Sequence, residues 1–128
     1  MTYRLVKDPS EIVVILKTHL GERADAKEYE RTSRRMREIV GEIPGFISIK
    51  GYTAEDGEEI DIVRFTNEKA LEAWRTQPEH RATQERGRAE FYHHYWVQAC
   101  KVFRETEFSI GRSGADRRRK QGVSQKAS

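Results

Sequence analysis

The chain of 128 residues has one cysteine, one asparagine and three prolines. A lone Cys100 excludes an internal disulfide and any cysteine-only metal cluster, and such sparing use suits a reducing compartment. The longest apolar run, Ile12 to Leu16, is far too short to span a membrane. The opening MTYRLVKDPSE lacks the long apolar core of a secretory signal. These features lead us to expect a cytoplasmic protein with no membrane partner. No glycine-rich nucleotide loop is present, because the GRSG of residues 111–114 does not open a helical pattern. No order of Ser, His and Asp, or of Cys and His, supports a catalytic triad or dyad.

The net charge of +3 conceals two unlike parts. Residues 109–128 hold six of the 24 basic and one of the 21 acidic side chains, which leaves 18 and 20 in residues 1–108. The body is thus about neutral at −2, and the tail carries +5. The tail has one Ile and one Val as its only large apolar residues. It cannot bury enough surface to offset its ordering entropy, so a disordered basic tail at 109–128 is expected after a single domain at 1–108. The run Arg117–Lys120 could attract acidic surfaces, but no folded basic face stands beside it, so nucleic acid is not an expected partner.

Within the body, residues 11–19 form a β-branched apolar run without clean alternation, which predicts a strand covered on both faces. Tyr29, Ser33, Met36, Ile39 and Ile43 then recur at helical spacing, with Asp25 and Glu28 placed as a capping pair and Pro44-Gly45 as the stop. Residues 46–53 and 58–65 read as a hairpin around Asp56-Gly57. Asn67 caps a second helix, and Pro78 starts a new segment at a different angle. The aromatic stretch 91–108 reads as one long strand. The order β-α-β-β-α-β predicts a ferredoxin-like α+β domain, a four-stranded antiparallel sheet with its helices on one face. The strands are apolar on both faces, so the open face calls for a cover, and a second copy of the chain is the simplest one.

Taken in order, IPGF after the first helix, the DG hairpin, a strand ending in Phe65, the segment AWRTQPEH and the FYHHYW run resemble the antibiotic biosynthesis monooxygenase family over roughly residues 10–108. The resemblance implies a homodimeric α+β barrel of two ferredoxin-like sheets. It also implies cofactor-independent oxygenation of a small aromatic or quinol-like molecule, with a non-catalytic small-molecule-binding or interaction protein as the alternative. Haem-degrading relatives use a first-strand Asn, a Trp in the second helical region and a His about ten residues later. Here the first strand offers Lys17, Thr18 and His19, and the tenth residue after Trp74 is Gln84. Haem degradation is therefore not expected, and no cofactor is.

Five residues stand out as candidates. His80, at the start of the helix opened by Pro78, is the candidate catalytic base, since a helix N-terminus disfavours imidazolium; local packing is its other reading. Trp74 continues the apolar stripe of Ala70 and Leu71, either as core or as the wall of a substrate cavity. Six residues is not a same-face helical spacing. Trp74 and His80 are thus expected to have separate jobs, with Trp74 buried and His80 near a cavity mouth, where its truncation would cost under about 1 kcal/mol. Arg64 lies among apolar neighbours and needs either an ion-pair partner or an anionic substrate. Tyr92 and Tyr95 are candidate substrate-binding rings. His93 and His94 do not suggest a metal site, because adjacent strand residues point to opposite faces.

Overall fold

The computed structural model describes residues 2–6 and 10–110. The expected basic tail lies, from residue 111 onward, outside the described residues. Strand β2 (Ile12–Leu20) leads into helix α1 (Ala26–Val40), the hairpin of β3 (Phe46–Thr53) and β4 (Glu59–Phe65), helices α2 (Glu68–Arg75) and α3 (Pro78–Arg86), and strand β5 (Tyr92–Lys101). These strands form one antiparallel sheet in the order β3-β4-β2-β5, which is the ferredoxin-like arrangement. Two further strands, β1 (Thr2–Val6) and β6 (Glu105–Ser109), pair with each other.

Local chemistry sets the helix boundaries. Asp25 Oδ1 accepts from Glu28 N–H at 3.1 Å and caps α1. Asn67 Oδ1 accepts from Ala70 N–H at 2.9 Å and caps α2. Pro78 has no N–H to lose at the first position of α3, and the Gln77 side chain caps that helix by accepting from His80 N–H. After α1, the chain reverses through Gly45 at φ +94.

The single long strand expected over 91–108 is divided. Phe91 belongs to a π-helical turn, Gly87–Phe91. Lys101 is the last residue of β5 because its partner, Ile12, is the first residue of β2. One residue further, Val102 N–H still donates to the Glu11 carbonyl at 3.0 Å, and the chain then goes on to pair with β1.

The core lies between sheet and helices. Alternation along β2 and β4 aims Ile12, Val14, Val63 and Phe65 at Ile39 and Val40 of α1 and at Ala70 and Trp74 of α2. The opposite parity, Val13, Ile15, Ile60 and Ile62, faces away from the helices and is only half-buried. On that same face Trp96 is 46% exposed, with Lys17 Nζ 4.2 Å above its ring, and Tyr52 is 51% exposed. The sheet thus carries a second apolar face that is only half-buried among the described residues.

Candidate active site

Between the sheet and α1–α3 lies a cleft that every element of the four-stranded unit helps to line. Its floor comes from β2 and β4, whose inward parity continues past the core to Leu16, Thr18 and Asp61. Thr18 is 6% exposed. Helix α1 contributes Tyr29, Ser33, Met36 and Arg37, which share one face by their spacing of four, three and one. The far wall is Trp74 of α2 and His80, Thr83 and Gln84 of α3, and Phe91, Tyr92 and Tyr95 close the cleft. Helix α3 is fastened over it by Glu79, which accepts two hydrogen bonds from Arg35, and by Arg86 paired with Glu28 at 3.1 Å.

Trp74 and His80 form one unit. Their rings stack with centroids 3.6 Å apart and 14° between planes. His80 is 7% exposed and its Nδ1 lies 2.9 Å from the Trp74 carbonyl oxygen. The expectation of separate jobs, with His80 at an open mouth, is thereby corrected. The helical spacing rule applies within one helix, and the break at Pro78 turns α3 so that His80, six residues on, returns over Trp74. Since a carbonyl oxygen only accepts, Nδ1 carries the proton and Nε2 keeps a lone pair. Burial lowers the His80 pKa below its ordinary value, against the opposing hydrogen bond to Trp74. The imidazole is therefore neutral at physiological pH, as a base requires.

Tyr92 and Tyr95 are also stacked, with centroids 4.8 Å apart and 11° between planes. A regular strand would put residues three apart on opposite faces. Here the β2–β5 register shifts, so that Thr18 faces Tyr95 and His19 faces His94, but Leu20 faces Tyr92. The bulge at His93 re-aims Tyr92 to the side of Tyr95. Gln84 Nε2 lies 3.1 Å from the Tyr95 hydroxyl, to which it donates. Burial raises the pKa of both tyrosines, that of Tyr92 beyond the ordinary phenol range, so both rings are neutral hydrogen-bonding groups. Gly87 makes room for Tyr92: a Cβ there would sit 2.4 Å from a ring carbon.

Arg64 does not join this cleft. It pairs with Val13, on the face away from the helices, and both its Nε and its Nη2 donate to the Glu11 carboxylate, the latter at 3.1 Å. Its ion-pair reading describes it. His93 and His94 are exposed, and His94 stands edge-on to His19. His19 Nε2 in turn lies 3.8 Å from Glu58 and 4.0 Å from Asp56, a surface cluster at the end of the sheet that spacing alone did not reveal. Sequence reasoning also missed Asp61, Arg37 and Tyr29 as cleft residues. Gln84 and Thr18 were noted only as replacements for haem-site residues, yet both face the cleft.

This arrangement can be set beside known proteins. The model of the antibiotic biosynthesis monooxygenase family matches residues 5–86, well over half of the chain. The chain belongs to the antibiotic biosynthesis monooxygenase family. A curated relative within reach, YqjZ of Bacillus subtilis, is 32% identical over 80 residues, covering 62% of this chain and 70% of that protein. Among solved structures, SnoaB from Streptomyces nogalater, a cofactor-independent oxygenase, superposes with a TM-score of 0.62 at 16% identity, over 73% of this chain and 93% of that one. Rv0793 from Mycobacterium tuberculosis gives 0.65 at 18% identity, over 73% and 95%. At such identities the structural likeness establishes the shared fold. In the family frame, the matched region includes Trp74, His80 and Gln84 but ends before Tyr92 and Tyr95.

Proposed function

We propose that this member of the family is a cofactor-independent monooxygenase that oxidises a small aromatic or quinol-like molecule held between sheet and helices. The observation that carries the reading is the buried Trp74–His80 stack. It presents a neutral imidazole, its Nδ1 proton pinned to a carbonyl, on the wall of an aromatic cleft. Such a base can take a proton from an electron-rich substrate, and the resulting anion can reduce dioxygen without a cofactor. At an activated CH2 group the reaction balances as CH2 plus O2 giving C=O plus water, with all electrons supplied by the substrate. The Tyr92–Tyr95 stack and the Trp74 ring supply flat apolar surface for the substrate and keep water out.

Oxygen uptake with a panel of quinols and polyphenols tests this reading. Uptake is expected with at least one of them, and His80→Ala should lower kcat more than it raises KM. Because burial favours the neutral imidazole, kcat should hold as pH falls through 6.5, where a free histidine would be half protonated. Binding without uptake in every case would leave a non-catalytic small-molecule-binding protein.

The reading includes a homodimer. Support comes from the face of Val13, Ile15, Ile60 and Ile62, half-buried among the described residues and flanked by exposed Tyr52 and Trp96. A contiguous apolar surface of this kind favours a self-complementary partner. Light scattering at micromolar concentration should give about twice the 15.0 kDa chain mass; a monomer at high concentration would reject this pairing. Among the described residues no helix is long and apolar enough to cross a membrane. An exposed, free Cys100 fits a cytoplasmic location.

A further inference from the structure

Asp61 is out of place by ordinary packing rules. It sits on the sheet face that buries Val63 and Phe65, paired with Leu16 on one side and with Gly51 on the other. A carboxylate on a core face needs compensation. Arg37 of α1 provides it at one oxygen only, donating from Nη2 to Oδ1 at 2.9 Å. Among the described residues Oδ2 has no hydrogen-bond partner. Gly51, which has no side chain, leaves open the space beside it.

That space is a second cleft, lined by Leu20, Glu30, Arg34, Gly51 and Glu59. Tyr29, Ser33, Arg37 and Asp61 line both this cleft and the aromatic one. The Asp61–Arg37 pair thus stands at the boundary between the two, opposite in kind to the Trp74–His80 wall. A simple fastening of α1 to β4 would explain the ion pair. The side chain is 35% exposed and lines both clefts, so its second oxygen is open to whatever occupies them.

We propose that Asp61 is a second proton-accepting group of the active site: its free oxygen receives the proton of a substrate hydroxyl, and Arg37 faces the oxygen left behind. The substrate class is thereby narrowed to aromatics bearing a hydroxyl group, phenols or hydroxy-quinols. The inference rests on the reading of the aromatic cleft as a substrate site. In the step, the substrate O–H bond breaks, a carboxyl O–H bond forms on Asp61, and the phenolate charge lies beside the Arg37 guanidinium. Burial raises the Asp61 carboxyl above its ordinary value, opposed by Arg37 and reinforced by Glu59, which strengthens it as a base. The titratable and charged groups around it are Arg37 and Tyr29 on α1, Glu59 on its own strand and Tyr92 on β5, with Glu30 and Arg34 across the outer cleft. Tyr29 is held neutral by burial, so Asp61 is the base of this group that faces both clefts with a free oxygen.

The test compares binding of 1-naphthol with that of its methyl ether, 1-methoxynaphthalene, followed by calorimetry on the intact protein. A hydroxyl that donates to a carboxylate should favour naphthol by about tenfold or more. The preference should decline as pH falls and Asp61 takes up its proton, a measurement that needs no variant. In Asp61→Asn, which keeps the shape of the side chain, both probes should still bind, with the preference below about threefold and independent of pH. Equal binding of the two probes to the wild-type protein would overturn the role of Asp61 while leaving the cleft as a binding site. A preference unchanged in a folded Asp61→Asn protein would overturn it too, by assigning the hydroxyl to another acceptor. Failure of both probes to bind would reject the cleft reading, and this inference with it.

Discussion

Replacing Trp74 with alanine should lower stability by about 3–5 kcal/mol, the usual range for truncating a large core aromatic. Trp74 is 8% exposed and packs in the cluster that joins α2 to Ile12, Val14 and Phe65 of the sheet. Its ring is also one half of the stack with His80. The variant therefore loses buried area and at the same time exposes one face of an imidazole whose Nδ1 remains tied to the backbone carbonyl of residue 74. Denaturant unfolding of the two proteins measures the difference, and a loss under about 1 kcal/mol would show that the site collapses around the gap. His80 shares in this. A buried, hydrogen-bonded, stacked histidine does not fall in the surface class, so the cost of under about 1 kcal/mol expected for an exposed His80 does not apply to it. Kinetic tests on His80 variants are accordingly best read from the ratio of kcat to KM effects in folded protein.

The parts of the fold that periodicity controls were legible. Apolar residues at helical spacing marked α1, the Asp-Gly turn marked the hairpin, and Asn67 and Pro78 marked helix starts that the structure confirms. Terminal strands β1 and β6 were not anticipated as a pair. Their pairing is a contact between residues about 100 positions apart, which no local pattern records. Sidedness was the larger difficulty. In the strand EIDIVRF, Ile60, Ile62 and Arg64 alternate with Glu59, Asp61, Val63 and Phe65, and each set mixes apolar with charged residues. Alternation shows that Arg64 and Asp61 lie on opposite faces, but not which face meets the helices. Arg64 drew attention in a strand where the charged residues on the cleft side are Glu59 and Asp61.

Two features of the candidate site depend on departures from regular geometry. Tyr92 reaches the side of Tyr95 only through the bulge at His93. His80 reaches Trp74 only through the bend at Pro78. Both signals were in the sequence, as a proline and as an overlong aromatic run. Neither specifies by how much the chain turns, because that is set by the partner strand in one case and by the helix packing in the other. The functional side chains were therefore easier to identify as residue types than to assign as pairs.

Gly45 carries the other large expected effect, and it has an internal control. Gly45 and Gly57 both have positive φ, +94 and +91. Alanine at either site meets the same backbone penalty, about 1–2 kcal/mol for an L-residue forced into the left-handed region. Their surroundings differ. A Cβ on Gly57 would meet nothing within 4 Å, whereas one on Gly45 would sit 2.7 Å from Ala70 Cβ and 2.7 Å from Thr66 Oγ1. Neither neighbour gives way easily. Ala70 is 3% exposed in the core, and the Thr66 N–H donates to the Gly45 carbonyl at 2.7 Å. Overpacking of this kind adds about 1–3 kcal/mol. Gly45→Ala should therefore destabilise by about 2–5 kcal/mol and Gly57→Ala by about 1–2, with the difference read from paired urea curves. The Gly45 turn also places the start of β3 against the α2 N-terminus, so the same clash would push α2, and Trp74 with it, away from the sheet. Equal losses in the two variants would show that the turn after α1 yields to a methyl group. The tight fit of IPGF against α2 would then not be what fixes the position of the Trp74 wall.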